Sequence, residues 1–391
     1  MSEAAFVFPN DAHVAWSIMI VLYPYLTGLV AGAFVVSALY HVFHRQALQP
    51  VARLALVTSL CFCAFATVPL LLHLHRPERA FNVMITPSGT SAMAGFGFIY
   101  SLYMLVLIVE VWLVFRPELA ALGQTRPGLS GVAYRCLSLG VKHVSDGARL
   151  MDNRVTHALA LIGIPIACVL HGYVGFLFGA VKANPWWSTA LMPVIFLISA
   201  IVSGIGGLIL LYLFSSWWRR VPADLECVRA LAKYLWMFLV GAVVLELLEI
   251  VHMAYEASGE WNVIAALIRD RLRVSYGIIQ LGIGSMIPLL ILPLVFLPRL
   301  GRRGLVFVSG LASLLVLIQV FAMRWNVVIG GQMFSKSFRG FVTYHVEWLG
   351  REGLLAAGMV LLLPLIALTV AARLLPLWSE AEPAPGLPPR L

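Results

Sequence analysis

The fold of this chain is decided by the stretch LAKYLWMFLVGAVVLELLEIVHMAY, residues 231–255. It is longer than the roughly 20 apolar residues that a helix needs to cross a bilayer. Within it, residues 245–252 carry three ionisable side chains, Glu246, Glu249 and His252. Their spacing places them within about a 120° arc of one helix. A charge at bilayer depth costs about 2.5–3.5 kcal/mol, so these groups are expected to line a cavity, a proton path or a buried pair.

The composition of the whole chain agrees with this. It is 61% hydrophobic and 12% charged, with a mean hydropathy of +0.92, against roughly 45–50% apolar and 25% charged residues in soluble domains. We predict an all-α polytopic membrane protein, with one membrane domain over residues 1–377 and a disordered cytoplasmic tail over 378–391. About nine transmembrane helices, between eight and ten, are expected near residues 16–41, 51–74, 91–115, 157–178, 187–214, 231–255, 274–297, 306–323 and 354–372.

The basic residues predict the orientation. With the N-terminus outside, seventeen Lys and Arg residues fall in the inner loops and tail and ten in the outer loops, which is the bias that cytoplasmic loops carry. Residues 1–13 contain Glu3 and Asp11 but no Lys or Arg, unlike a signal peptide, so the first helix is expected to stay in the protein. The net charge of +9 suits anionic lipid headgroups and requires no nucleic-acid partner.

Two connections are long. Residues 116–154 are expected to include an amphipathic piece on the inner surface. Residues 324–351 are expected outside, where alternating aromatic and basic residues suggest either a contact surface or an interfacial belt. The five cysteines have no CxxC spacing, so they predict structural thiols and no iron–sulfur cluster in this chain.

Polar residues of five predicted helices lie at a similar depth in the outer half of the membrane. They are Tyr23, His73, His75, His171, Tyr173, Glu249, His252 and Gln280, with Glu246 near the middle and Glu110 further inward. We expect these side chains to line one polar pocket in the outer half of the membrane. A quinone would suit it, because the quinone oxygens need hydrogen-bond donors and the redox reaction moves protons. Glu249 and His252 are predicted to handle these protons, and Glu246 and Glu110 to extend a path toward the cytoplasm.

Other interpretations remain open at this point. A b-type haem would also want facing histidines, and His171 with His252, or His73 or His75 with either, are the possible axial pairs. A secondary transporter would need broken helices in two repeats, but the break at 203–207 has no counterpart in a second half. His171 as a bonded core histidine and Glu110 as one member of a buried pair are the plainer alternatives.

Several motifs resemble one known family over nearly the whole chain, the polysulfide reductase membrane-subunit family, often called NrfD/PsrC. The motifs are Tyr23-Pro-Tyr-Leu-Thr-Gly-Leu-Val-Ala-Gly32, Leu74-His-Arg-Pro77, His171-Gly-Tyr-Val-Gly-Phe-Leu-Phe-Gly179, Lys182-Ala-Asn-Pro-Trp-Trp187, Met192-Pro-Val-Ile-Phe-Leu-Ile-Ser-Ala200 and Arg324-Trp-Asn-Val-Val-Ile-Gly-Gly-Gln332. The chain's length and extended last loop resemble the long branch, which includes hydrogenase-2-type and sulfite-reductase-associated subunits.

The resemblance implies a haem-free quinone-binding anchor with two four-helix bundles. With the orientation that the basic residues predict, we expect it in the bacterial inner membrane, with the N-terminus periplasmic and the C-terminus cytoplasmic. The same resemblance implies menaquinone or ubiquinone as the cofactor. It also implies an extracytoplasmic four-cluster iron–sulfur subunit as partner and, through it, a molybdopterin, nickel–iron hydrogenase or cytochrome subunit. We therefore expect electron transfer between the quinone pool and that iron–sulfur subunit, with proton translocation as a possible coupled process.

The resemblance also bears on the site residues. Tyr23 stands where shorter members of the family place a quinone-contacting His, and Tyr173 matches a quinone-contacting Tyr of the family. Arg324 is the candidate for the family's quinone-contacting Arg. The expected quinone contacts are thus Tyr23, His171, Tyr173, His252, Gln280 and Arg324, and no metal site is expected.

Overall fold

The computed structural model describes residues 14–256, 259–334 and 340–378. Within these ranges, nine helices are long and apolar enough to cross a membrane, which confirms the prediction of an all-α polytopic membrane protein. We number them spans 1 to 9: Ile18–His41, Gln46–His73, Ala92–Thr125, Asp146–Gly179, Met192–Trp218, Leu225–Glu256, Arg273–Phe296, Arg302–Gln332 and Leu354–Leu374. The end of the molecule at which span 1 begins is called the N-side face, and the opposite end the C-side face.

The spans form two four-helix bundles, as the resemblance implied. In the first bundle, span 1 packs on spans 2 and 4, and span 3 closes the ring between them. In the second, span 5 packs on spans 6 and 8, and span 7 closes the ring. Span 9 lies outside both and packs on span 2. The bundles meet where span 5 lies along spans 1 and 4.

Glycines allow this close approach of the bundles. A Cβ atom on Gly32 of span 1 would lie 2.6 Å from the Cα atom of Gly204 on span 5, a separation that real Cβ atoms do not tolerate. The two backbones therefore touch directly, which is the usual role of small residues between membrane helices. Spans 1 and 5 are consequently held in direct backbone contact at Gly32 and Gly204.

Several predicted helix ends were wrong. Span 3 continues to Thr125, and span 4 already starts at Asp146. The connection between them is therefore shorter than predicted, and it contains a separate helix, Gly128–Leu137. Hydropathy reports only the apolar part of a helix, and a helix can continue past it into the headgroup region with polar residues. Span 7 begins as a π-helix, Arg273–Met286, a form often found at functional sites.

The most important correction concerns Arg324. The sequence predicted that it begins the last outer loop, but span 8 continues as α-helix to Val328. Arg324 is 0% exposed inside that helix. A hydropathy profile ends a helix at a charge, whereas the folded protein keeps the helix because neighbouring helices provide hydrogen-bond partners for that charge.

The connection before span 9 folds back onto its own chain at the N-side face. The side-chain oxygen of Gln332, the last residue of span 8, accepts a bond from the Trp16 backbone at 2.8 Å. Within the connection itself, the Tyr344 hydroxyl accepts a bond from the Ile18 backbone at 3.2 Å. Partial burial raises the pKa of the Tyr344 hydroxyl, so it stays protonated. The Nδ1 atom of His73 lies 2.8 Å from Oε2 of Glu352, within hydrogen-bond distance. The described part of this loop is therefore anchored to spans 1 and 2.

At the C-side face, the described chain ends in contact with the bundle. The Arg219 guanidinium lies 4.3 Å from the Trp378 ring centroid, so Trp378, which we predicted to begin a disordered tail, is packed. The rest of the predicted tail, residues 379–391, lies outside the described residues, as do residues 1–13 and 335–339.

Candidate functional site

A buried arginine lies where the two bundles meet. The Nη2 atom of Arg324 on span 8 donates to the Ser199 hydroxyl at 2.7 Å and to the Phe196 carbonyl at 3.2 Å, both on span 5. The same nitrogen lies 3.1 Å from Nε2 of His171 on span 4. The guanidinium carbon stands 3.7 Å from the Phe196 ring centroid. Arg324 thus connects one helix of the first bundle to two of the second.

These contacts explain how a charge is held at this depth. Hydrogen bonds from a charged donor are worth about 1.5–3 kcal/mol each, and a desolvated cation over an aromatic ring adds about 2 kcal/mol. Among the described residues, no carboxylate oxygen lies within 4 Å of the Arg324 nitrogens. The positive charge is therefore solvated by neutral groups and remains available to an electron-rich ligand.

Three polar atoms around this junction lack a hydrogen-bond partner within the described part of the chain. They are Nε of Arg324, Nδ1 of His171 and the hydroxyl of Tyr23. Tyr23 is 3% exposed on span 1 and interacts electrostatically with Arg324. Buried polar atoms normally have partners, and atoms that have none often mark a place for a ligand or water. These three groups can offer hydrogen bonds to the oxygen atoms of a bound molecule.

A second polar network lies beside the first and belongs to the second bundle. Glu246 on span 6 accepts a bond from Gln280 of span 7 at 3.1 Å and one from Gln319 of span 8 at 3.0 Å. The Asn326 amide nitrogen donates to the Gln280 side-chain oxygen at 2.8 Å. Both Glu246 oxygens act as acceptors, a pattern that an ionised carboxylate satisfies without a donor of its own.

A cavity of about 30 Å³ adjoins this network. Its lining includes the polar side chains of Glu246, Glu249, Tyr276, Gln280 and Asn326, together with the indole of Trp186. Typical ligand pockets measure about 300–1,000 Å³, and a cavity of roughly 10–15 Å³ or more holds a single water. This cavity therefore has the size for water and not for a ring-shaped cofactor.

The structure does not bring His252 into either network. Its side chain is 63% exposed and lies 3.5 Å from that of Glu256. Successive residues on a helix are rotated by about 100°, so the arc that begins at Glu246 reaches the outside of the bundle by His252, and Glu249 lies at the edge between them. The three residues share an arc, but only part of that arc faces the protein.

Tyr173 and Glu110 also lie away from Arg324. The Tyr173 hydroxyl donates to the Ala92 carbonyl at 2.8 Å. Tyr173 follows His171 by two residues, so its side chain is rotated by about 200° around the helix axis and points to another side. Glu110 is 0% exposed on span 3, and its carboxyl oxygens have no hydrogen-bond partner among the described residues. It belongs to the first bundle and is separate from Glu246.

Four residues of these networks were not recognised from the sequence: Phe196, Ser199, Gln319 and Asn326. Gln319 and Asn326 are seven residues apart, so they share one face of span 8. A polar pair with this spacing in an apolar helix was a usable signal. Ser199 and Phe196 gave no such signal. Ser199 resembles an ordinary small packing residue, and Phe196 offers a backbone carbonyl and a ring face, as any phenylalanine of an apolar helix could.

The histidine geometry does not suit a haem. Nε2 of His171 is bonded to Arg324, His252 faces outward and His73 is paired with Glu352. His75 is exposed beyond the end of span 2. None of the suggested axial pairs therefore consists of two unbonded imidazoles inside a bundle. In the described ranges, no group of three or more His, Cys, Asp or Glu residues could hold a metal ion.

Comparisons with known proteins agree on one family. The family model described as "Polysulphide reductase, NrfD" matches residues 8–336. A selenate reductase subunit of Mesobacillus selenatarsenatis is 27% identical, over 98% of this chain and 90% of its own length. A putative dimethyl sulfoxide reductase membrane subunit of Halobacterium salinarum is 28% identical over 76% of this chain and 66% of its own length. The Hdr-like menaquinol oxidoreductase integral membrane subunit of Archaeoglobus fulgidus is 23% identical over 88% of this chain and 81% of its own length.

Proposed function

The chain belongs to the NrfD polysulphide reductase family, and we propose that it is the quinone-binding membrane subunit of a respiratory oxidoreductase complex. The names of its relatives support this, since they are those of subunits of selenate and dimethyl sulfoxide reductases and of a menaquinol oxidoreductase. The observation that carries the proposal is Arg324, a charge held at membrane depth at the junction of the two bundles.

The proposed quinone contacts are Arg324, His171 and Tyr23. Each has a polar atom without a partner among the described residues, and together they offer donors to the oxygens of a quinone head group. A quinone supplies two-electron, two-proton redox chemistry when bound. The Arg324 charge stabilises negative charge that develops on an oxygen, and preorganised donors of this kind contribute much of the catalysis in enzymes. We retain Gln280 and Glu246 as the polar wall beside these contacts.

We propose that electrons leave at the N-side face, to an iron–sulfur subunit seated there. All three quinone contacts lie in the half of their spans nearest this face, and a polar pocket of about 490 Å³ lies there between Ser17, Tyr344 and Glu347. The excess of basic residues in the other loops favours the N-side as the extracytoplasmic side. A molybdopterin reductase is the proposed distal partner, since two relatives are named for selenate and dimethyl sulfoxide reductases, and menaquinone is the proposed quinone.

We propose that protons use the carboxyl groups of span 6. Glu246 lies deeper, and Glu249 lies one turn nearer the N-side face, where its carboxyl interacts with Thr189 of the connection between spans 4 and 5. Glu110 is proposed as the proton-handling group of the first bundle, through which any translocation to the C-side face would pass. His252 has no part in this route, because it faces outward.

The test uses the native complex with its co-purifying subunits. Arg324→Gln should lower the rate of quinol oxidation by about 10²–10³-fold, the usual effect of losing one preorganised donor. Arg302→Gln, which removes an exposed arginine of the same span, is the matched control and should retain the rate of the unaltered complex. If Arg324→Gln assembles with its partners and oxidises quinol with unchanged kcat and KM, the proposed site is wrong.

A further inference from the structure

The cavity beside Glu246 has two unused acceptors. Oδ1 of Asn326 and Oε1 of Glu249 are buried without a hydrogen-bond partner in the described part of the chain, and both residues line the cavity. Asn326 is 1% exposed. Leaving a buried polar atom unpaired costs about 1–3 kcal/mol, so two such atoms at one cavity indicate a donor that fills it.

The surrounding bonds fix which Asn326 atom is left over. The Asn326 nitrogen donates to Gln280, and the Gln280 nitrogen donates to Glu246. Turning either amide around would place two acceptors or two donors against each other. The chain of bonds therefore starts at the Glu246 carboxylate and ends with the Asn326 carbonyl oxygen as the free atom. A donor beside this oxygen would complete the chain of hydrogen bonds.

We propose that the cavity binds one water molecule, which donates to Asn326 and Glu249 and carries protons between Glu246 and Glu249. Its volume of about 30 Å³ exceeds the roughly 10–15 Å³ that a buried water requires. A buried water needs two to four polar partners, and Tyr276 and Gln280 also line the space. The relay role rests on the proposed function, whereas the water site does not.

A relay is needed because of the helix geometry. Side chains three residues apart on a helix have Cβ atoms about 5–6 Å apart, and both Glu246 oxygens are already bonded to amides. In the relay, the O–H bond of a protonated Glu246 breaks as its proton moves to the water. A different proton of the water then forms the O–H bond of Glu249, and the water is unchanged overall. Glu249 passes the proton on toward the N-side face.

The test removes the water without removing a polar group. Val327 lines the cavity, so Val327→Ile adds a methylene group where the water would lie. Val308→Ile, the same exchange elsewhere on span 8, is the matched control, and Asn326→Leu removes the free acceptor. We expect Val327→Ile and Asn326→Leu each to lower the kcat of quinol oxidation at least about tenfold, with unchanged KM, and Val308→Ile to match the unaltered complex.

High-resolution electron microscopy of the native complex gives the direct readout. We expect density for one water within hydrogen-bond distance of Asn326 and Glu249, lost in Val327→Ile. An empty cavity, density that changes between sodium and potassium buffers, or full turnover by Val327→Ile would each overturn the proposal. If the unaltered complex oxidises no quinol while the water density is present, the proposed function fails and the water site stands.

Discussion

Replacing Glu246 with glutamine and with leucine separates its structural role from its proposed chemical role. Glutamine keeps the shape and can still accept one hydrogen bond, whereas leucine removes both acceptors. In the native protein, Gln280 and Gln319 each donate one bond to the carboxylate. The two variants therefore differ in how many buried donors they leave unpaired.

The magnitudes follow from these two bonds. Leucine leaves both amide donors unsatisfied, and at about 1–3 kcal/mol each this destabilises the fold by about 2–6 kcal/mol. Glutamine must present its own amide nitrogen to one neighbour, but the Gln319 side-chain oxygen has no partner in the described structure. Gln319 can turn and accept that bond. Glu246→Gln should therefore cost only the difference between a charged and a neutral hydrogen bond, about 1 kcal/mol.

Activity should follow a different order. Neither variant can take up a proton at position 246, so both should lose about 10²–10⁴-fold in quinol oxidation, the contribution of a positioned acid or base. The assays are thermal unfolding of the detergent-solubilised complex and stopped-flow quinol oxidation. Glu246→Gln should melt close to the unaltered complex and be nearly inactive, whereas Glu246→Leu should be less stable as well. Full turnover by Glu246→Gln would refute the proton role, and an unchanged melting temperature in Glu246→Leu would refute the bonding network.

Three further outcomes test other parts of the structure. Glu249→Gln should slow quinol oxidation at least about tenfold. His252→Gln, which changes an outward-facing side chain, should oxidise quinol at the rate of the unaltered complex. Equal rates of quinol oxidation in the two variants would contradict the proposed proton route. Gly32→Ala should lower thermal stability by about 1–3 kcal/mol through overpacking at the bundle junction, whereas Gly241→Ala, whose added Cβ meets nothing within 4 Å, should not; similar melting curves would argue against the close contact. Glu110→Leu should raise the melting temperature, because it removes a buried carboxyl without a described partner, and a lower melting temperature would reveal a stabilising contact of that carboxyl.

The sequence predicted much of the architecture because hydropathy is a property of each segment alone. All nine predicted spans are present in the described structure, and the resemblance implied two bundles. The ends of the helices were less predictable, as Arg324 shows. A charged residue lowers the hydropathy and so ends the predicted span, but the helix itself continues when neighbouring helices offer hydrogen-bond partners to the charge. Of the predicted quinone contacts, Tyr23, His171 and Arg324 lie around one junction, whereas Tyr173 and His252 lie away from it. Their contact with a quinone stays a prediction.

By itself, the sequence determined that this is a membrane protein and which segments cross the bilayer. It also determined which polar groups lie at bilayer depth. Periodicity also fixed that Glu246, Glu249 and His252 share an arc of one helix. Only the tertiary structure decided what each group meets, because the rotation of a helix about its own axis depends on packing against neighbouring helices. That rotation turns Glu246 toward Gln280 and Gln319, leaves His252 outside and places Arg324 between the bundles.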